Sequence, residues 1–281
     1  MTILRAIVTL AVFLPSLAIA AAQGYMARAL HKPVPGGVAV IALGNAAVPP
    51  QAYFGADRAM VVKDSDGQWV AVVGIDLKTP AGTQHLRVQG PDGPAKLAFQ
   101  VGTKNYESQH IKLKNQRHVD PDPKQLQRFE REYKAQIAAY SRFREEGPTT
   151  VVLDKPVEGR LSSRFGLRRF FNGEERNPHS GLDFAVPAGT PIKAPSDGIV
   201  TIVADYFFNG KTIFIDHGQG LVTMYCHLSE FNVQEGQQVS RGQVIGKVGA
   251  TGRATGPHLH WNVSLNNARV DPAIFIHAFE P

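Results

Sequence analysis

Short runs of β-branched and aromatic residues, each closed by a glycine- or proline-containing turn, recur along most of this chain and limit what it can fold into. Val38-Ala39-Val40-Ile41-Ala42-Leu43 is closed by Gly44-Asn45. The runs 59–63 and 69–75 flank Asp64-Ser65-Asp66-Gly67, and Asp-Gly between such runs signals a hairpin. Those four residues also resemble the opening of a calcium loop, but no glutamate follows at the spacing an EF-hand needs. A further pair, 85–88 and 96–101, brackets Pro91-Asp92-Gly93-Pro94. This spacing predicts a small β-sandwich of immunoglobulin-like kind as an accessory domain over residues 34–110.

One helix interrupts the strands. Asp122 can cap it, Pro123 suits its first position and Gly147-Pro148 ends it, which sets a linker helix at 122–147. Leu126, Phe129, Tyr133, Ile137 and Tyr140 form one apolar stripe, while the other face mixes acidic and basic residues. A striped helix must pack on something, and this one is expected to brace the two domains. From Val151 the strand pattern returns, with runs at 190–193, 198–203, 211–216 and 221–227. The expectation is a mainly antiparallel β domain over 151–281, with long loops at 170–177 and 204–210. The chain as a whole reads as mainly β.

At 281 residues there is room for two domains, each with its own core. The net charge of +6 is spread out, with no dense Lys/Arg block, so no nucleic-acid partner is expected; an anionic polymer of the cell envelope suits the same charge. Residues 1–22 read as a signal peptide: Arg5, an apolar stretch from Ala6 to Ala20 broken at Pro15, and the small-x-small site Ala18-Ile19-Ala20. The expected location is the periplasm, with secretion as second choice and no stable membrane insertion after cleavage. Cys226 is the single cysteine and can form no internal disulfide; its strand setting makes it a small buried apolar residue.

The chemistry concentrates in three places. In Gly256-Pro257-His258-Leu259-His260-Trp261 the two histidines fall on one face of an apparent strand and can converge on one atom. Asp183 opens another apparent strand, where a buried carboxylate is costly unless paired or metal-bound, and His179 lies in the loop leading to it. In the run ending Cys226-His227, regular alternation places Thr223, Tyr225 and His227 on one face and Cys226 on the other. Three protein ligands plus a water is the usual layout of catalytic zinc, and His, Asp and His are suitable donors. One of His258 and His260 can bind metal while the other faces the water. The glycines between Gly246 and Gly256 are not followed by Gly-Lys-Ser/Thr, so they form a turn-rich loop rather than a phosphate cradle.

Taken in order, Ser163-Arg164-Phe165-Gly166-x-Arg168, His179-x-Gly181-x-Asp183, Gly189-Thr190-Pro191, Tyr225-x-His227-Leu228 and Gly256-Pro257-His258-Leu259-His260 resemble the lysostaphin/LytM-type zinc metallopeptidases over about residues 159–275. The resemblance implies a LytM-type peptidase fold with one zinc ion held by His179, Asp183 and His260, and with His227 and His258 as catalytic histidines. It implies as partners the stem peptides of bacterial peptidoglycan, cut either at oligoglycine bridges or at direct D-alanyl–diaminopimelate cross-links; an export signal with no obvious wall-binding repeat favours the direct cross-links. The alternative is a non-catalytic peptidoglycan-binding protein that activates another wall hydrolase. No His-Glu-x-x-His motif supplies a glutamate base, so the proton acceptor is expected to be His227 or His258, the other stabilising the oxyanion.

Overall fold

The computed structural model describes residues 24–91, 93–112 and 120–276; the expected signal peptide lies outside them. A short helix α1 (Tyr25–Leu30) leads into six strands: β1 (Val38–Gly44), β2 (Gln51–Phe54), β3 (Asp57–Lys63), β4 (Trp69–Gly74), β5 (Gly82–Gly90) and β6 (Gly93–Val101). They pair antiparallel in one continuous path, β1-β4-β3-β2-β5-β6. The two halves of the sandwich expected here are therefore one sheet, with β3 crossing between them: its first residues pair with β2 and its last with β4.

The apolar runs in β1 and β4 are continuous because both faces are buried. Ala39, Ala71 and Val73 join Ala52, Ala59, Val61, Leu86 and Val88 in a core private to the accessory sheet. The alternate residues Val38, Val40, Val70 and Val72, with Met60, join the core of the second domain instead. Strands buried on both faces lose the polar alternation of half-exposed ones. Asn266 clasps the contact: its Oδ1 accepts from the Gly74 N–H at 2.6 Å and its Nδ2 donates to the Gly74 carbonyl at 3.0 Å. A Cβ at Gly74 would stand 2.8 Å from Leu265, so glycine is required by the close approach.

Beyond β6 the chain forms β7 (Ser108–Ile111) and then α2 (Pro123–Tyr140), which opens on the expected cap: Asp122 accepts from the Gln125 N–H and Gln125 returns the bond. The apolar stripe is only partly used. Ala139 and Tyr140 are buried, whereas Leu126 and Tyr133 are 44% and 50% exposed. The helix packs on the second domain through Tyr140, Phe214, Met224 and Cys226. Bracing between the domains falls to the residues just past it, where Glu145 pairs with Arg58 of β3 and its carbonyl accepts from Gln219 Nε2.

The second domain contains β8 (Arg160–Ser163), β9 (Arg168–Phe171), β10 (Glu174–Glu175), β11 (Leu182–Ala185), β12 (Pro191–Lys193), β13 (Gly198–Tyr206), β14 (Gly210–Gly218) and β15 (Leu221–Phe231). β16 (Gln238–Val239), β17 (Val244–Val248), β18 (Leu259–Leu265), β19 (Ala268–Val270) and the short α3 (Ala273–Ile276) complete it. Its main sheet is antiparallel, in the order β16-β13-β14-β15-β18-β11-β8, with β12, β17 and β19 attached at the side. Both stretches expected as long loops are hairpins: β9 turns tightly into β10, and β13 runs to Tyr206, which pairs with Gly210. One pairing is parallel, that of β7 from the linker with β9.

Candidate metal centre

A single row of cross-strand neighbours builds the site. Ser163 of β8 is opposite Asp183 of β11, Asp183 is opposite His260 of β18, and His260 is opposite Cys226 of β15. Directly paired residues of antiparallel strands project to the same face about 5 Å apart, so Asp183 and His260 meet because of register alone. His179 arrives from a turn pinned on both sides: its N–H donates to the Leu167 carbonyl, and its carbonyl accepts from Gly166. The glycine of His179-x-Gly181-x-Asp183 is explained by contact, since a Cβ at Gly181 would lie 2.9 Å from the His260 ring.

Three donor atoms converge. His179 Nε2 is 2.9 Å from Asp183 Oδ1 and 3.0 Å from His260 Nδ1, which is 2.8 Å from the same Oδ1. All three residues are buried. His179 Nδ1 donates to the Arg164 carbonyl at 2.6 Å, so the neutral ring carries its proton there and turns a lone pair toward the carboxylate. Two acceptors face to face in a buried site call for a cation. The plain alternative is a proton in place of that cation, shared between His179 Nε2 and Asp183 Oδ1. Atoms this close can all reach one ion at about 2 Å, the usual distance for zinc with nitrogen and oxygen donors. Among the described residues these three form the cluster of His, Cys, Asp and Glu that could hold a metal ion.

Arg169 and Gln109, which the sequence did not single out, orient these donors together with Ser163. Arg169 of β9 donates from Nη2 to Asp183 Oδ2 at 2.8 Å, leaving Oδ1 for the cluster. Gln109 of β7 touches both Arg169 and Ser163, and Ser163 Oγ lies 3.3 Å from His179 Nδ1. Burial works to raise the Asp183 pKa, but His179 and His260 outweigh it and hold the carboxyl well below its usual range. Burial also lowers His260 to about 4, partly offset by Asp183.

His227 and His258 stand beside this cluster. Their rings are 4.7 Å apart, and the His227 ring is 6.2 Å from that of His260. The expected strand alternation fails at His227. Tyr225 and Thr223 are turned away from the site, bonded to each other at 2.9 Å, and a regular strand would send His227 with them. Instead β15 carries an extra residue between Tyr225 and Leu228, and His227 takes φ +65°, which brings its ring to the face of His260. His227 Nδ1 donates to the Thr251 carbonyl at 2.8 Å and His258 Nδ1 to the Gly256 carbonyl at 2.9 Å, so each neutral ring presents a lone pair at Nε2. Burial, reinforced by His258 and His260, pushes His227 down to about 3. Cys226 is buried among Met224, Phe214 and Val222, and burial pushes its thiol up, which makes it a packing residue.

The profile of Peptidase family M23 matches residues 177–272, and that of the Peptidase family M23 N-terminal domain matches residues 31–104. A crystal structure from Pseudomonas aeruginosa, described as a candidate peptidase M23, is 54% identical, covers 91% of this chain and 100% of its own, and superposes with a TM-score of 0.78. The peptidoglycan DD-endopeptidase ShyA of Vibrio cholerae is 44% identical over 119 residues, which is 41% of this chain and 28% of that protein. The DD-carboxypeptidase/endopeptidase Mpg of Neisseria meningitidis is 43% identical over 116 residues, 41% of this chain and 27% of that protein. The matched stretch thus spans less than a third of the length of these curated relatives.

Proposed function

The chain belongs to peptidase family M23, and from that premise we propose that it is a zinc endopeptidase of the periplasm that hydrolyses peptide cross-links of peptidoglycan, of the D-alanyl–diaminopimelate type. The observation that carries this reading is the buried convergence of His179, Asp183 and His260 with two further histidines beside it. The names of ShyA and Mpg support the substrate class. A complete donor set favours an enzyme over a protein that only binds wall peptides.

His179 through Nε2, Asp183 through Oδ1 and His260 through Nδ1 would hold the zinc. A zinc ion supplies Lewis acidity, lowering the pKa of a water toward about 7 and polarising the scissile carbonyl. Arg169 keeps Asp183 charged and aimed. His227 and His258, with their Nδ1 protons committed to backbone carbonyls, offer Nε2 to the reaction: one accepts the proton of the attacking water and returns it to the leaving amine, and the other steadies the tetrahedral oxyanion when it carries a second proton at Nε2. The depressed pKa of His227 keeps that ring unprotonated at neutral pH.

Digestion of purified sacculi followed by mass analysis tests the substrate. Cross-linked dimers should give way to monomers, and dimers that persist with zinc-loaded protein would overturn the reading. His179→Ala and Asp183→Ala should lose zinc and activity together. His227→Ala and His258→Ala should retain zinc and lose about 10²–10⁴ in turnover, the usual range for positioned acid–base groups.

A further inference from the structure

Helix α2 lies outside both matched stretches, yet its polar side is bonded to the tip of the β13–β14 hairpin. Glu132 Oε2 accepts from the Phe207 N–H at 2.8 Å, and Gln136 Oε1 accepts from Asn209 Nδ2 at 3.0 Å. Arg128, paired with Glu132, donates to the Asp205 carbonyl at 2.8 Å, and Phe129 packs edge-on against Phe208 at 5.1 Å.

The hairpin tip is the support of His227. The Asn209 carbonyl accepts the His227 N–H at 2.9 Å, and the Phe208 carbonyl accepts from Arg253 at 2.8 Å. That second bond clamps the loop carrying Thr251, whose carbonyl holds His227 Nδ1. Hairpin and loop touch without slack. A Cβ at Gly210 would stand 2.4 Å from the Thr251 backbone, and one at Gly252 would stand 2.3 Å from the Gly210 nitrogen. Of the two groups that fix the left-handed His227, one belongs to the hairpin that α2 holds from outside and the other to the loop clamped to that hairpin. Since the buried residues of α2 are Ala139 and Tyr140 at its C-terminal end, the side-chain bonds near its middle serve the hairpin more than the attachment of the helix.

We propose that Glu132 and Gln136 are positioning residues for His227, acting through the 206–210 hairpin; this rests on His227 being a proton-handling group of the peptidase. The ordinary reading of such bonds is that they tie a helix to a surface. It predicts a loss of stability and leaves the reaction unchanged.

The test uses the full chain and two double variants. Glu132→Leu with Gln136→Leu removes both acceptors, whereas Glu132→Gln with Gln136→Glu keeps an acceptor oxygen at each position. The measurements are zinc content, steady-state cleavage of a cross-linked muropeptide dimer, and hydrogen exchange of the His227 backbone amide. For the leucine pair we expect kcat to fall about tenfold or more, the scale at which small misplacements of catalytic groups register. KM should stay within about twofold, zinc content should be unchanged, and the His227 amide should exchange faster; the conservative pair should behave as the parent. An unchanged kcat in the leucine pair, or a fall accompanied by loss of zinc, overturns the proposal. If the parent chain itself cleaves nothing, the proposed function has failed. Exchange at His227 then decides the positioning claim alone: unchanged protection in the leucine pair overturns it.

Discussion

Cys226 and His260 sit directly opposite each other across β15 and β18, and His227, the very next residue, reaches the same side as Cys226 only because the strand bulges there. Two consecutive residues thus serve one face, which a regular strand forbids. The left-handed backbone of His227 is what the chain spends to place that ring.

Strain at that position can be read by comparing two substitutions that both remove the imidazole. A non-glycine residue in the left-handed region costs roughly 1–2 kcal/mol, and glycine escapes most of it. His227→Gly should therefore be about 1 kcal/mol more stable than His227→Ala in denaturant titration, with both inactive. Equal stabilities would mean that the bulge carries no strain.

Arg169 holds the Asp183 oxygen that the cluster does not use. Arg169→Met should leave the fold intact and weaken zinc about 10–100-fold, the usual effect of losing a partner behind a metal ligand. Competition against a chelator measures this. Unchanged affinity would show that register alone sets the carboxylate.

A buried histidine outside the site governs part of the acid sensitivity. His217 donates from Nδ1 to the Asp197 carbonyl at 2.7 Å, which leaves the Nε2 lone pair of the neutral ring facing the Thr223 hydroxyl at 2.8 Å. Burial lowers it from 6.5 to about 4. Between those two values the unfolded chain takes up a proton and the folded one does not, so stability is full above the unfolded value and falls as pH drops through the window. The loss amounts to about 3 kcal/mol at one unit per 1.36 kcal/mol. Denaturant titrations from pH 7 to 4 should show a shallower slope for His217→Gln than for the parent.

The clasp at Gly74 makes its own prediction. Asn266→Ala leaves a buried N–H and a buried carbonyl without that partner, at about 1–3 kcal/mol each. It should lower the stability of both domains together in one transition. A separate early transition for the accessory sheet would show that the two cores are less coupled than their shared valines imply.

Most of the candidate site was legible in the sequence because motif and register coincide. His260 lies in β18 and His258 in a single bridge to Gly249 just before it, close to the strand pairing expected, and Asp183 reads as a carboxylate that a strand cannot bury unpaired. His227 is the instructive exception. Its residue type was legible, but strand alternation assigned it to the wrong face, since a bulge leaves no mark in hydrophobic patterning. Arg169 and Gln109 were invisible for another reason: they matter through contacts with Asp183 and Ser163, which only the folded chain creates. The stripe on α2 misled in a milder way. Its periodicity is real, but Leu126 and Tyr133 overhang the sheet, because the helix runs past the apolar patch that Tyr140 covers.

Val70 and Val72 point into one core while Ala71 and Val73 point into the other, so β4 works as a party wall between two rooms. Such a wall cannot be taken down from one side. A peptidase domain cut free of its neighbour would bare the surface that Val38, Val40, Met60 and the two valines cover, and the severed accessory sheet would carry its own naked apolar face. Exposed β surface of that kind invites association with other chains. Losing activity on truncation would thus measure stickiness as readily as regulation, and trimming studies on this chain call for polar replacements along the exposed wall.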